Sequence, residues 1–343
     1  MKNKYFYICL SLFTLTSCLK NAAITYPNFE YQTVYFANQY PIRTLELGED
    51  LFVDNSLDTA HEVEIEATIG GTRDNANNVT ISYQVVDSLC NNLYMSGTNT
   101  KVIPMPSSYY QLLSDNIVIP QGSILGGVKV KLTDAFFADP AAVQNTYAIP
   151  LVMTHIEGAD SILQGTSSLD NPDRRIDGDW SVQPKDFVLY VIKFVNKYNG
   201  NYLRHGKDVI TFQGNTQAFD TVRHTQYVES NEVDGLTTLS LTQTNFPLIY
   251  KDAGGNNIYC NLLLNFNSDG TCSVTSGTTG ITATGSGKFV SKGEINSWGN
   301  QDRDAIYLNY NVTIANKLTA STTDTLVLRD RGVSPAYFTP VIK

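Results

Sequence analysis

Positive charge, histidine, cysteine and tryptophan are all scarce in this chain of 343 residues, and each scarcity closes off a class of function. Lysine and arginine total 24 against 33 acidic residues, a formal net charge of −9. That balance lacks the basic surface on which phosphate recognition depends, so no nucleic-acid partner is expected. The four histidines, His61, His155, His205 and His224, are scattered without the spacing of metal ligands and are expected at turns or on the surface, with no metal and no cofactor. No G-x-S-x-G elbow, phosphate loop or dinucleotide fingerprint occurs, so no catalytic residue is assigned and the chain is expected not to be an enzyme. "NSDGTC" lacks the alternating carboxylates and closing glutamate of a calcium loop and reads as a hairpin turn. No apolar run approaches the about 20 residues that span a bilayer.

What is present begins at the N-terminus. Lys2 and Lys4 precede a mostly apolar run from Tyr5 to Leu15, the basic and apolar regions of an export signal. Leu15-Thr16-Ser17-Cys18 then fits a bacterial lipobox, in which the Cys18 thiol takes a diacylglyceryl group and becomes the first residue of the mature protein. Lipid chains hold a soluble domain to a membrane without spanning it, each buried methylene contributing about 0.8 kcal/mol. Loss of Lys2 and Lys4 takes the net charge from −9 to −11. With Cys9 removed and Cys18 lipidated, Cys90, Cys260 and Cys272 remain. Cys260 and Cys272 flank a hairpin whose register separates them well beyond the ~7 Å limit for a disulfide, so three structural thiols are expected.

The rest of the chain reads as strands. "HEVEIEAT" alternates Val63, Ile65 and Ala67 with Glu62, Glu64 and Glu66, and "GVKVKL" alternates Val128, Val130 and Leu132 with Lys129 and Lys131. Period two with one charged face predicts half-buried antiparallel strands. "TVYF", "VTISYQVV", "YAIPLVMT", "FVLYVIKFV", "IYCNLLLNF", "AIYLNYNVTI" and "TDTLVLRD" continue the series between turn signals such as "DAGGNN" and "TGSG". Only Ala138 to Gln144 and Tyr109 to Leu113 suit short helices. The fold class is therefore all-β. "GTSSLDNPDRRIDGDWSVQP" is polar and lacks alternation, which places a linker over 166–184. The expected organisation is a signal peptide over 1–17, a lipidated tether over 18–26, an N-terminal β-sandwich over 27–165, that linker, and a second antiparallel domain over 185–343, either a sandwich or a closed barrel.

Two segments invite a functional reading. "RRIDGDWS" faintly resembles the chitinase-like strand on which aspartates, here Asp177 and Asp179, precede an aromatic residue and a catalytic glutamate. Ser181 holds the glutamate position, so the acid that would protonate a leaving oxygen is missing, and Trp180 is expected to cover a domain junction. "EINSWGNQDRD" sets Trp298 among Asn296, Asn300, Gln301, Asp302 and Arg303 in an expected loop. A sugar ring offers apolar C–H faces and hydroxyl edges, so an aromatic platform with polar neighbours is the composition of a glycan site. Tyr109 and Tyr110 are followed at once by Leu112 and Leu113 and are assigned to packing.

"VYFANQYPIRTLELGED", "EATIGGTRDNANNVTISYQVVD", "YYQLLSDNIVIPQGS", "YAIPLVMT" and "GADSILQG" resemble the N-terminal domain of Bacteroidetes outer-surface lipoproteins from glycan-utilisation loci, a domain that also precedes the barrel of some endo-β-N-acetylglucosaminidases. "KFVNKYNGNYLRHGKD" and "TDTLVLRDRGV" are similar to the C-terminal domain that replaces that barrel in non-enzymatic members. The resemblance implies an immunoglobulin-like sandwich followed by a second β-domain, a lipocalin-like barrel being one form. It also implies a lipid-anchored outer-membrane protein facing the cell exterior that captures an oligosaccharide beside an uptake porin. A structural or adhesive module binding a protein partner, and an unrecognised all-β glycosidase, are the alternatives. Surface-exported members carry acids just after the lipidated cysteine, whereas here Leu19, Lys20 and Asn21 follow.

Overall fold

The computed structural model describes residues 29–343 except Asp74; the signal peptide, Cys18 and the whole of the tether lie outside the described residues. The first half holds β1 (Thr33–Tyr35), β2 (Pro41–Glu46), α1 (Ser56–Thr59), β3 (Glu62–Gly70), β4 (Val79–Val85), β5 (Leu93–Met95), β6 (Ile103–Pro104), β7 (Tyr110–Leu112), β8 (Asn116–Ile119), β9 (Leu125–Leu132), α2 (Asp134–Ala138), β10 (Tyr147–Glu157), β11 (Ser161–Ile162) and β12 (Phe187–Val195). The second half holds β13 (Gly200–Phe212), β14 (Phe219–Arg223), β15 (Glu232–Thr238), β16 (Gln243–Lys251), β17 (Asn257–Phe266), β18 (Thr271–Ser276), β19 (Ile281–Glu294), β20 (Arg303–Ile314), β21 (Leu318–Asp330), β22 (Ala336–Tyr337) and β23 (Pro340–Ile342). The all-β class is correct. Tyr110–Leu112, a candidate helix, is a strand paired with β9, whereas the other candidate, Ala138 to Gln144, holds a short 3-10 turn over Pro140–Val143 directly after α2.

Two curled sheets form the first domain, ordered β11-β1-β3-β9-β7 and β22-β2-β12-β10-β4-β8. The alternation of β3 and β9 sets their register: Val63 faces Val130 and Ile65 faces Val128, while Glu62 and Glu64 oppose Lys131 and Lys129. A one-residue slip would turn every one of those apolar side chains to solvent. β12 is apolar on both faces for a different reason. Val188, Ile192 and Phe194 enter the core between the sheets, whereas Phe187, Leu189 and Val191 enter a smaller core roofed by Cys90, Leu93, Met95 and Phe338.

The expected boundary is corrected. Residues 166–184 are no linker between domains but a strap folded on the first domain, and β12 pairs with β10 and β2 rather than opening the second. Charge holds the strap: Arg174 donates to both carboxylate oxygens of buried Asp186 (3.1 and 3.0 Å), and Arg175 reaches Asp173 and the carbonyls of Leu89 and Asn91. Trp180 closes the strap itself by donating to the Asp173 carbonyl (2.8 Å), which corrects its expected place at a domain junction. The C-terminal residues also return home, β22 pairing with β2 and β23 with β5. The barrel is thus inserted between β12 and β22.

That barrel is closed. β13, β15, β16, β17, β18, β19, β20 and β21 pair in order, and β21 pairs back to β13 from Leu318↔Phe212 to Asp330↔Asn201. Eight strands leave an interior that side chains fill. Tyr198, Tyr202, Phe246, Leu264 and Leu326 pack one end, and Ile281, Val312, Ile314 and Leu318 the other. Cys260 and Cys272 lie in this core as free thiols, as does Cys90 in the first domain, and burial pushes them up to about 11, 12 and 12 respectively.

Between the apolar ends runs a charged layer. Asp324, only 1 % exposed, accepts from Arg204 Nε (3.0 Å) and Tyr310 Oη (2.7 Å) and is also paired with Arg223. Asp208 takes Arg223 and the Thr322 hydroxyl, and Arg204 extends to Glu232 and Asp234 (3.0 and 3.2 Å). The layer meets water where β15 and β16 part. They pair only at Thr237↔Asn245 and Thr238↔Thr244, and Pro247, next on the same edge, has no N–H to continue the ladder. Removing one partner from a buried ion network leaves uncompensated charge. Asp324→Ala is therefore expected to cost about 3–5 kcal/mol in urea unfolding followed by Trp298 fluorescence in a Trp180→Phe background. Glu232→Gln, at the wet edge, should cost less than about 1 kcal/mol.

Candidate functional site

The β13–β14 hairpin runs through Ile210↔Phe219 to Gly206↔Arg223, and the same register continued by one pair sets His205 opposite His224. Their rings meet edge to face at 5.7 Å. After His224 the chain leaves the wall, makes a short helical turn at Val228–Ser230 and rejoins as β15. Asn231, buried, buckles this excursion: its Oδ1 accepts from the Thr225 N–H (3.1 Å) and hydroxyl (2.8 Å), and its Nδ2 lies 3.4 Å from His205 Nδ1. That contact suits an imidazole with its proton on Nε2 and Nδ1 accepting.

A second loop faces the excursion. β19 and β20 lose register between Val290 and Glu294, and the bulge carries Glu294 outward, where its carboxylate accepts from Tyr307 Oη (2.8 Å). Asn296, Gly299 and Asn300 take positive φ angles of 48°, 69° and 53°, a conformation that asparagine and glycine tolerate best. The two loops enclose a groove of about 520 Å³, lined by His205, His224, Tyr227, Glu294, Asn296 and Trp298 among others.

The expected glycan residues divide here. Trp298, Asn296 and Asn300 line the groove; Gln301, Asp302 and Arg303 do not. Asp302 accepts from the Asn296 N–H (2.8 Å) and shapes the loop. Arg303, 3 % exposed, is corrected from ligand contact to packing: its guanidinium lies 3.8 Å from the Trp298 ring centroid and donates to the Trp298 carbonyl (3.1 and 3.2 Å). Trp298 is further fixed by its Nε1 donating to the Leu328 carbonyl (3.1 Å) and by Phe52 beside it. It is a rigid wall with one face already covered. The freer aromatic is Tyr227, 59 % exposed, which composition did not single out. His205 and His224, expected as isolated turn or surface residues, come together on this wall; the signal that finds them is the hairpin register counted back from "QGNT".

Among the described residues no cluster of three or more His, Cys, Asp or Glu side chains could hold a metal ion. No helix among them is long and apolar enough to cross a membrane. Burial holds His205 below the usual histidine value; the nearby Glu294 carboxylate opposes that shift, and His224 adds to it. The unfolded chain therefore takes up this proton first as pH falls below about 6.5. Stability from this site is fully present above that value and is lost as the pH drops toward the lowered native pKa. Thermal unfolding at pH 7.5 and 5.5 should show a smaller acid loss for His205→Gln than for the parent chain.

A family model described as "Domain of unknown function (DUF5627)" matches residues 197–332, the span of the inserted barrel, and one described as "-like, N-terminal domain" matches 27–160. No curated protein matches. Among solved structures, a Bacteroides ovatus protein of unknown function is 50% identical, with a TM-score of 0.86, covering 92% of this chain and 100% of its own. A second Bacteroides ovatus protein, for which carbohydrate binding has been proposed, is 11% identical with a TM-score of 0.27, covering 88% of this chain and 99% of its own. The ywiB protein from Bacillus subtilis reaches 11% identity and a TM-score of 0.19 over 38% of this chain and 93% of its own. Those two superpose too poorly to carry an argument. Half of all positions are shared with the first protein over its entire length, and the chain belongs to that protein's family, with a DUF5627 barrel as its second domain.

Proposed function

We propose that this protein is a cell-surface lipoprotein that captures an oligosaccharide without cleaving it, held to the outer membrane through lipidated Cys18 and working beside an uptake porin. The observation that carries the reading is the composition of the groove. Tyr227 and Trp298 offer aromatic surface, and His224, Gln226, Glu229, Glu294, Asn296 and Asn300 offer planar hydrogen-bonding ends around it. Saccharides are held by this pairing of an apolar ring face with donors and acceptors at its rim. The volume suits a few sugar residues, and the outward opening suits a chain that continues beyond the site. Weak single contacts would be reinforced by many copies displayed on one membrane.

A second reading has one observation in its favour. Ile249 and Tyr259 are a directly opposed cross-strand pair on the outer wall, both exposed, and Val233 on β15 is exposed as well. Such an apolar strip would suit a protein partner.

Titration calorimetry of residues 21–343 against host and plant glycans separates the two. Tyr227→Ala is the informative variant, because Trp298→Ala would also uncover Arg303. Binding without product release, weakened about tenfold by Tyr227→Ala and unchanged by Tyr259→Ser, is the expected result. Binding untouched by Tyr227→Ala removes the groove from the account, and silence with every glycan favours the protein-partner reading.

A further inference from the structure

The barrel groove carries a carboxylate on each of the two loops that enclose it. Glu229 belongs to the excursion between β14 and β15, on its short helical turn, and Glu294 stands on the facing loop, where the bulge ends β19. Glu294 Oε1 accepts from Tyr307 Oη (2.8 Å), which anchors this carboxylate at the groove. Among the charged groups around His205, Glu294 acts on it most strongly.

No lysine or arginine lines the groove to answer them. The cations of the surrounding strands are committed elsewhere. Arg204 and Arg223, next in sequence to His205 and His224, face the barrel interior and are tied into its charged layer, Arg204 to Asp324, Glu232 and Asp234, and Arg223 to Asp208 and Asp324. Strand alternation keeps Arg204 and His205 on opposite faces of the wall. Arg303 lies under Trp298 and gives its N–H groups to the Trp298 carbonyl. Lys207 meets Asp220 (2.6 Å), and Lys292, two residues before Glu294, meets Glu49 (3.4 Å).

A carboxylate only accepts hydrogen bonds, whereas the amides of Gln226, Asn296 and Asn300 both donate and accept. A sugar hydroxyl suits this lining throughout, since it donates to a carboxylate and accepts from an amide. A uronate, sialate or sulfate group is itself an anion that only accepts, so it meets Glu229 and Glu294 as a like charge with no guanidinium or ammonium to offset it. Like-charge juxtaposition is how a binding surface turns away wrong partners. We infer that the barrel groove selects neutral oligosaccharides and rejects those bearing uronate, sialate or sulfate groups, with Glu229 and Glu294 as the selecting residues. This rests on the reading of the groove as a glycan site and adds the class of glycan it takes.

The test is calorimetry of residues 21–343 at neutral pH with host and plant glycans taken as neutral and acidic pairs. Among them are lacto-N-neotetraose with its terminally sialylated form, and fully methyl-esterified tetragalacturonate with the free acid. In each pair that binds, the neutral member should bind at least about tenfold more tightly in ~0.05 M NaCl, and the gap should narrow in ~1 M NaCl, where the Debye length is about 3 Å. Glu229→Gln and Glu294→Gln should each raise affinity for the acidic member about threefold, the weight of one exposed charge. A gain of binding does not arise from misfolding, and Glu229, an exposed residue, carries the test alone should Glu294→Gln fail to fold. Tyr227→Ala should weaken the neutral member, which ties the preference to this groove; a preference that survives it lies elsewhere and overturns the assignment. Acidic members bound as tightly as their neutral partners, or a preference that neither salt nor the two glutamine variants moves, overturn the selection and leave glycan capture standing. Silence from every sugar overturns glycan capture and the selection with it.

Discussion

The chain passes between its two domains twice, and one guanidinium holds both passages. Arg331, 4 % exposed, stands where β21 leaves the barrel and donates to the carbonyls of Asn196 (2.7 Å) and Asn199 (2.9 Å), where the chain enters it. It also donates to Leu47 (3.0 Å) and Glu49 (3.5 Å) of the first domain. Four carbonyls converging from two segments need a planar fork of several N–H groups; a lysine ammonium offers only three donors from one point. Asn196 completes the knot, its Nδ2 donating to Ser240 (2.7 Å) and Gln243 (3.1 Å) at the foot of the barrel. Because entry and exit are fastened together, the barrel behaves as an insertion that its host domain reads through, and residues 333–343 are free to return to β2 and β5.

Two grooves follow from that arrangement. Closure between β13 and β21 fixes the wall on which His205 sits, and the excursion between β14 and β15 can leave this wall because β13 remains fully paired on its other side. Trp298 backs onto Phe52 of the first domain, so the rim of the barrel groove is braced by the same junction that Arg331 holds. A second groove, of about 470 Å³ along β2, exists only because residues 333–337 return beside that strand while their ladder is confined to Pro41 and Ile42.

Strands were legible wherever burial is one-sided, since a two-residue period is the direct imprint of one wet and one dry face, as in β3 and β9. The all-β class followed from them, whereas periodicity left the second half open between a sandwich and a closed barrel. The boundary was not legible, because a polar segment without alternation reads alike whether it floats as a linker or is strapped down by pairs such as Arg174–Asp186. β12 hid its allegiance for a related reason: a strand buried on both faces announces burial and not the sheet it joins. Composition singled out Trp298, which lines the barrel groove, but the same composition could not tell Arg303, packed under the indole, from a residue free to meet a ligand. His205, His224 and Tyr227 are far apart by polarity pattern and near only through hairpin register.

The most direct measurement is an NMR titration of the four imidazole signals with the glycan that binds most tightly. His205 and His224 lie in the barrel groove, whereas His61 and His155 belong to the first domain. The account predicts saturable shifts of His205 and His224 with His61 and His155 unmoved. Binding that leaves both barrel histidines unshifted would contradict it.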